Sequence, residues 1–158
     1  MTFCDPIHSY ARANPNALAI VDLESDRRWT YGTLNQAVDR LAAWIEAEFG
    51  PNSGVRLATL SKNCAEMVIL QHAGARAGSI FVPFNWRLAS AEIDALAADA
   101  EPEIVFHDPE FAPPSAARRA MAVADMLSLG QDGDKPSPDA RRPFGDVATF
   151  LYTSGTSG

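Results

Sequence analysis

Val147-Ala148-Thr149-Phe150-Leu151-Tyr152-Thr153-Ser154-Gly155-Thr156-Ser157-Gly158 is an apolar strand pattern that runs into a loop of glycine, serine and threonine. Such a loop is suited to phosphate. Glycine lets the backbone approach an anion, successive N–H groups can face one concavity, and hydroxyls donate further hydrogen bonds. By composition alone the loop is equally a flexible tail. Its place after an apolar strand favours a ligand, because open α/β folds bind at the carboxyl ends of their strands. It is not a Walker A loop: Gly155 and Gly158 are too close, and no Gly-Lys-Ser/Thr follows.

Working back from this stretch, strands alternate with helices. Asp5-Pro6 starts a short helix that ends before Pro15. Ala17–Asp22 and Arg27–Tyr31 read as two strands around a turn. Thr30 caps a longer helix whose apolar positions Leu34, Val38, Leu41, Ile45 and Phe49 keep helical spacing up to Gly50-Pro51. Val55–Leu60, Ser79–Phe84 and Glu103–His107 read as strands. A helix between the first two begins at Asn63, with Glu66 at capping-box spacing, and ends at Gly78. Met67, Leu70, Gly74 and Ala77 mark its packed face. A further helix is capped by Ser90, runs through Ile93, Leu96 and Ala97, and is closed by Pro102. This alternation predicts parallel βαβ units.

The expected fold is therefore α/β: a partial, doubly wound, mainly parallel sheet with flanking helices, preceded by an N-terminal hairpin and helix. Four parts follow from the pattern: a hairpin/helix segment at 1–50, a βαβαβ unit at 51–108, a proline-rich irregular excursion at 109–146, and the strand and phosphate loop at 147–158. The excursion holds six prolines and one short amphipathic stretch, Ala116–Leu129, read as a single helix.

With 158 residues, 47% hydrophobic and 21% charged, the chain has the composition of an ordinary globular domain. Its net charge of −7 argues against nucleic acid or an anionic membrane as partner. Cys4 and Cys64 form no CxxC pattern and read as reduced thiols. No apolar run is as long as a membrane span, and Asp5-Pro6 interrupts any signal peptide, so the expected location is the cytoplasm.

Leu151 to Gly158 resembles the phosphate-binding signature of the adenylate-forming (AMP-binding) superfamily, Tyr-Thr-Ser-Gly-Thr-Thr/Ser-Gly. Two further segments match in order. Trp29-Thr30-Tyr31-Gly32-Thr33-Leu34 resembles an early Thr-Tyr-x-Glu-Leu segment, with Thr33 in place of Glu. Ala75 to Leu88 resembles Lys-x-Gly-Ala-x-x-Val-Pro-x-Asn-x-Arg-Leu, with Arg76 for Lys and Ser79 for Ala; Asn85 makes it more like acyl-CoA synthetases than peptide-synthetase domains. The resemblance implies that Thr153, Ser154, Gly155, Thr156, Ser157 and Gly158 wrap the phosphates of ATP. It also implies an enzyme that joins a carboxylate to AMP and passes the acyl group to coenzyme A, with Mg2+ as cofactor. The superfamily's loop lysine, adenine and magnesium segments, acyl pocket and mobile C-terminal domain all lie beyond the matching part. The chain thus looks like an N-terminal piece of an acyl-CoA ligase that ends inside the loop, with no catalytic and no metal-binding residue of its own. The alternative is a truncated remnant that binds a nucleotide or a partner chain without catalysis.

Other side chains read as structural. His107-Asp108 has no nucleophile beside it. His8 and His72 lack metal-ligand spacing. Arg118-Arg119 and Arg141-Arg142 read as solvated surface pairs. Trp86 and Arg87 read as anchors after a strand, with Arg87 paired to an acidic neighbour. Apolar surface left uncovered would favour self-association. The chain alone should form no acyl-adenylate: pyrophosphate exchange with ATP and a panel of fatty and aromatic acids is expected at background, and carboxylate-dependent exchange in a ligase-free preparation would contradict the reading.

Overall fold

The computed structural model describes residues 2–131, 141–143 and 146–153. In chain order these form β1 (Thr2–Cys4), α1 (Pro6–Ala13), β2 (Leu18–Asp22), β3 (Arg27–Thr30), α2 (Tyr31–Phe49), β4 (Arg56–Leu60), α3 (Ala65–Ala77), β5 (Ile80–Pro83), α4 (Ser90–Ala100), β6 (Ile104–His107), β7 (Arg119–Ala122), a 3₁₀ helix (Val123–Ser128) and β8 (Arg141–Pro143). β2 and β3 are the expected hairpin, and β1 pairs antiparallel with β8. The central sheet is parallel with order β5-β4-β6-β7.

Helix assignment to the two faces follows from this order. The crossover from β4 through α3 moves one way to β5, and the crossover from β5 through α4 moves back past β4 to β6. Both must be right-handed, so opposite directions put α3 and α4 on opposite faces. The strand side chains then alternate between two cores. Leu57, Phe81, Ile104 and Phe106 join Leu34, Val38, Leu41 and Ile45 of α2 and Ile69, Leu70 and Ala73 of α3. Ala58, Leu60, Val82, Phe84 and Val105 join Ile93, Ala97 and Ala100 of α4. Each buried Leu, Ile or Phe of these layers contributes about 1.5–3 kcal/mol of transfer free energy. The fold is the doubly wound α/β layer structure the sequence predicts.

Caps explain several boundaries. Asp5 Oδ1 accepts the Ile7 and His8 N–H groups and starts α1. Thr30 and Thr33 exchange hydrogen bonds across the first turn of α2. Gly78 closes α3 at φ +81°, a left-handed conformation that favours glycine, and the Gly78 and Ser79 N–H groups both reach the Gly74 carbonyl.

Four expectations are corrected. Asn63 is not the cap of α3: Cys64 holds that position with no side-chain bond, and Glu66 does not reach back because Arg27 holds both of its oxygens, at 2.6 and 3.0 Å. Ser90 is the first helical residue and Ala89 the cap; the Glu92 carboxylate accepts the Ala89 N–H at 2.9 Å and sets the start one residue earlier. The Ala116–Leu129 stretch is not one helix. Arg119–Ala122 instead pairs with β6, and the following turn buries Val123 and Met126. Val147–Tyr152 is not a full strand: Thr149 makes one parallel bridge to Phe81 of β5, with Phe81 N–H donating to Ala148 O and Phe150 N–H to Phe81 O, each at 2.9 Å. Val147 and Leu151 stay exposed on this edge, so little apolar burial supports a longer ladder.

Three helices meet on Arg76. Its buried guanidinium donates to Asp5 Oδ2 (2.6 Å), to Asn35 Oδ1 (2.8 Å) and to Asp39 Oδ1. Burial by itself pushes the Asp5 carboxyl up, but Arg76 and the capping amides hold it net below its ordinary 3.8. The His72 imidazole, 3.8 Å from Asp5, is pushed below its ordinary 6.5 mainly by burial.

Asp5→Ala removes the cap and leaves a buried cation short of a partner, so it should cost about 3–5 kcal/mol in urea unfolding. The pH dependence has two steps. Below 6.5 the unfolded chain takes up a proton at His72 before the folded one does, so stability falls; below 3.8 the same holds for Asp5, whose contribution is present above that value and lost as pH drops through its depressed folded value. His72→Gln should flatten the first step and leave the second.

Candidate functional site at the carboxyl edge of the sheet

β4 and β5 are neighbours whose following loops leave toward opposite faces, one to α3 and one to α4. That divergence opens a crevice at their carboxyl ends, the place where doubly wound sheets bind ligands. Lys62 follows β4; Asn85, Trp86 and Arg87 follow β5. The Lys62 N–H donates to Asp108 Oδ2 at 2.8 Å, tying the loop after β4 to the loop after β6. Lys62 Nζ lies 2.6 Å from Glu110, whose hydrogen bond pushes its pKa up, and 5.9 Å from the Trp86 ring. The lysine is therefore a charged rim to the crevice.

Trp86 is the floor of this rim. It stacks on Phe111 with ring centroids 5.6 Å apart and carries the Arg87 guanidinium over its face at 4.3 Å. Asn85 Oδ1 accepts the Arg87 N–H at 3.1 Å and turns the chain out of the strand. The expected acidic partner of Arg87 is thus replaced by the ring of Trp86 among the described residues. A guanidinium laid flat on an aromatic face keeps its N–H edges free for an anion.

The bridge between Thr149 and Phe81 docks the segment that leads to Thr153 parallel to β5. Thr153 is exposed. Ser154, Gly155, Thr156, Ser157 and Gly158 lie outside the described residues. What the fold brings together is Lys62, Trp86 and Arg87, while the backbone that leads into the loop docks on β5 through Thr149 and Phe150. Tyr152, just before it, donates to Asp99 of α4 at 2.6 Å, a contact with no signature in the sequence.

Next to the crevice, a groove of about 320 Å³ separates the hairpin from the sheet, lined by residues that include Asp22, Arg27, Lys62, Cys64, Glu66 and Asp108. Burial pushes the free Cys64 thiol up, away from a reactive thiolate. The Cys4 side chain lies outside the description. His107 Nδ1 is bonded to the Asp108 carbonyl (3.0 Å), so the pair is a loop contact rather than an acid/base dyad. Arg118 and Arg119 pair with Glu103 and Glu48 at the opposite end of the sheet; the side chains of Arg141 and Arg142 lie outside the description. No group of three metal-ligating side chains occurs among the described residues.

Trp86→Ala removes a stacked pair and a cation–π contact, and should cost about 2 kcal/mol in thermal or urea unfolding. A loss below the measurement error would show that the rim is not held by this ring.

The sequence model of the family described as AMP-binding enzyme matches residues 7–158. Feruloyl-CoA synthase of Amycolatopsis sp is 34% identical over 149 residues, covering 94% of this chain and 30% of that protein. The long-chain-fatty-acid–CoA ligase FadD13 of Mycobacterium tuberculosis is 32% identical over 159 residues, covering 94% of this chain and 31% of that protein. O-succinylbenzoate coenzyme A synthetase (MenE) from Bacillus subtilis, solved in complex with AMP, shares the fold with a TM-score of 0.83 at 24% identity, covering 100% of this chain and 41% of that one. The chain thus spans under a third of the length of these two relatives. With the family match running through nearly every residue and the same layered fold behind it, the chain belongs to the AMP-binding enzymes.

Proposed function

We propose that this chain supplies the N-terminal part of the nucleotide-binding domain of an AMP-forming acid–CoA ligase, acting in the cytoplasm on a fatty or aromatic carboxylic acid. The observation that supports the reading is the parallel bridge between Thr149 and Phe81, which docks the segment leading into the Gly/Ser/Thr motif on β5 in the direction of the other sheet strands. ATP with Mg2+ supplies the activated phosphate, and coenzyme A the accepting thiol. The roles of this chain are to bind and to orient. Thr153, Ser154, Gly155, Thr156, Ser157 and Gly158 offer hydroxyls and backbone N–H groups to the phosphates, and small side chains that let them come near. Lys62 and Arg87 add positive charge at the rim of the same crevice. Positioning and charge neutralisation are what phosphorus chemistry asks of a protein.

The related MenE protein has also been solved in complex with ATP and magnesium ion, with a TM-score of 0.77 at 22% identity. That likeness supports the fold; the phosphate role of this chain rests on the residue types of the loop and on the docked segment that precedes it. The relatives are named for ferulate and for long-chain fatty acids, which sets the range of acids proposed.

The test uses a chimera in which these residues are continued by the downstream sequence of the Amycolatopsis relative. Gly155→Val should raise the apparent KM for ATP and lower turnover by at least about tenfold, because a branched side chain blocks close approach of backbone to phosphate. Ser25→Ala, in the exposed hairpin turn, should behave like the parent. Near-parental kinetics of Gly155→Val would remove the phosphate role of the loop.

A further inference from the structure

Asp99 stands where local rules disfavour it. It lies in the last turn of α4, against the negative end of the helix dipole, and that turn holds no basic residue. The surrounding helix is built of alanines at 95, 97, 98 and 100, each a better helix former than aspartate. Its side chain is not spent on the helix; it accepts the Tyr152 hydroxyl at 2.6 Å. A residue that breaks a local preference and is engaged elsewhere points to a task outside its own element.

The segment it touches needs such a partner. Among the described residues, the backbone ladder along 147–153 ends with Phe150 N–H on Phe81 O. Val147 and Leu151 are exposed, so only Phe150 and Tyr152 fasten the segment to the core beneath α4. Beyond Phe150 the chain is held by the Tyr152 side chain alone in that set, one residue before the loop begins. Burial and the Asp99 carboxylate together push the Tyr152 phenol up to about 12, so the hydroxyl keeps its proton and remains a donor throughout the physiological range.

We propose that Asp99 is a positioning residue for nucleotide binding: by accepting the Tyr152 hydroxyl it clamps the edge segment to α4 and sets where the loop starting at Thr153 leaves the sheet. This rests on the phosphate reading of that loop. Asp99 touches no phosphate itself; it acts through Tyr152.

The test compares the chain with Asp99→Ala, Tyr152→Phe, the double variant and Asp99→Asn. Amide hydrogen exchange of Phe81 and Phe150 reads the edge, exchange of Phe106 reads the central strands, and phosphorus NMR with millimolar Mg-ATP on the same variants of the chimera reads binding. Both single variants should speed exchange at Phe81 and Phe150 by about fivefold, the size of one lost hydrogen bond, and leave Phe106 unchanged. The double variant should add nothing to either single one. Asp99→Asn keeps an acceptor and should recover most of the effect. Asp99→Ala should hold or raise the melting temperature, since alanine suits the helix better; a contact serving only the fold would lower it. ATP binding should weaken equally in both single variants. Parental exchange at Phe150 in both, additive effects in the double variant, or a lowered melting temperature with Phe106 affected alike would overturn the proposal. So would ATP binding by the parent that both variants match. A parent chimera that keeps the chain's exchange at Phe106 yet binds no ATP overturns the phosphate reading itself, and this inference with it.

Discussion

Arg76 carries a full charge into the interior with 1% of its side chain exposed, and the arrangement of three helices depends on how that charge is met. One nitrogen faces the carboxylate that starts α1, a second faces Asp39 and a third faces Asn35 on α2, while the residue itself belongs to α3. Asn35 and Asp39 are linked in turn by a 2.8 Å hydrogen bond, so the acceptor side is itself fixed. A planar guanidinium can serve three directions at once; an ammonium is a point charge on a flexible stem and cannot hold them at fixed angles. Removing Asp5 or Asp39 leaves a buried charge short of a carboxylate partner, and this is why the cluster constrains the helices far more strongly than a surface pair would. Arg27 repeats the device at the periphery, where its fork on Glu66 ties the hairpin to α3.

With the helices on one face so fixed, the sheet can present its carboxyl edge in one way only. α3 and α4 diverge from neighbouring strands, and the crevice between them is a result of handedness rather than of any special residue. The chemistry at its mouth comes from what the loops happen to carry there: Lys62 bound to Glu110, and Arg87 over the ring of Trp86. Geometry supplied by topology and charge supplied by loops is the division of labour expected of a doubly wound fold.

Elements with a local cause are legible in the sequence alone. The short, mostly apolar runs of β4 and β6, the apolar spacing of α2, and the caps at Asp5, Thr30 and Gly78 all depend on neighbours within one turn or one strand. Where the pattern misleads, the deciding partner is distant. Asn63 and Glu66 have the spacing of a cap, yet Glu66 is claimed by Arg27, 39 residues away in sequence. Ala116–Leu129 has enough apolar residues for a helix, yet β6 has an open edge, and pairing takes Arg119–Ala122 into the sheet. Nothing near Arg76 in the chain announces Asp5, which is 71 residues distant. At the site, the loop is legible as a motif because its residue types carry the chemistry directly. The Tyr152–Asp99 contact is not, since a tyrosine before a loop and an acid at a helix end are each ordinary alone.

The route of the chain across the sheet also sets an order of assembly. After β7 the polypeptide has reached one border of the sheet, and it must travel to the other border before Thr149 can meet β5. That closure joins residues far apart in sequence and gains only a single bridge, so its entropy is recovered last, after the compact βαβ units have formed. The same edge is the first to detach when the protein breathes, because little buried area opposes its release. A polypeptide emerging from the ribosome would thus pair β4, β5, β6 and β7 before the segment around Thr149 docks on β5.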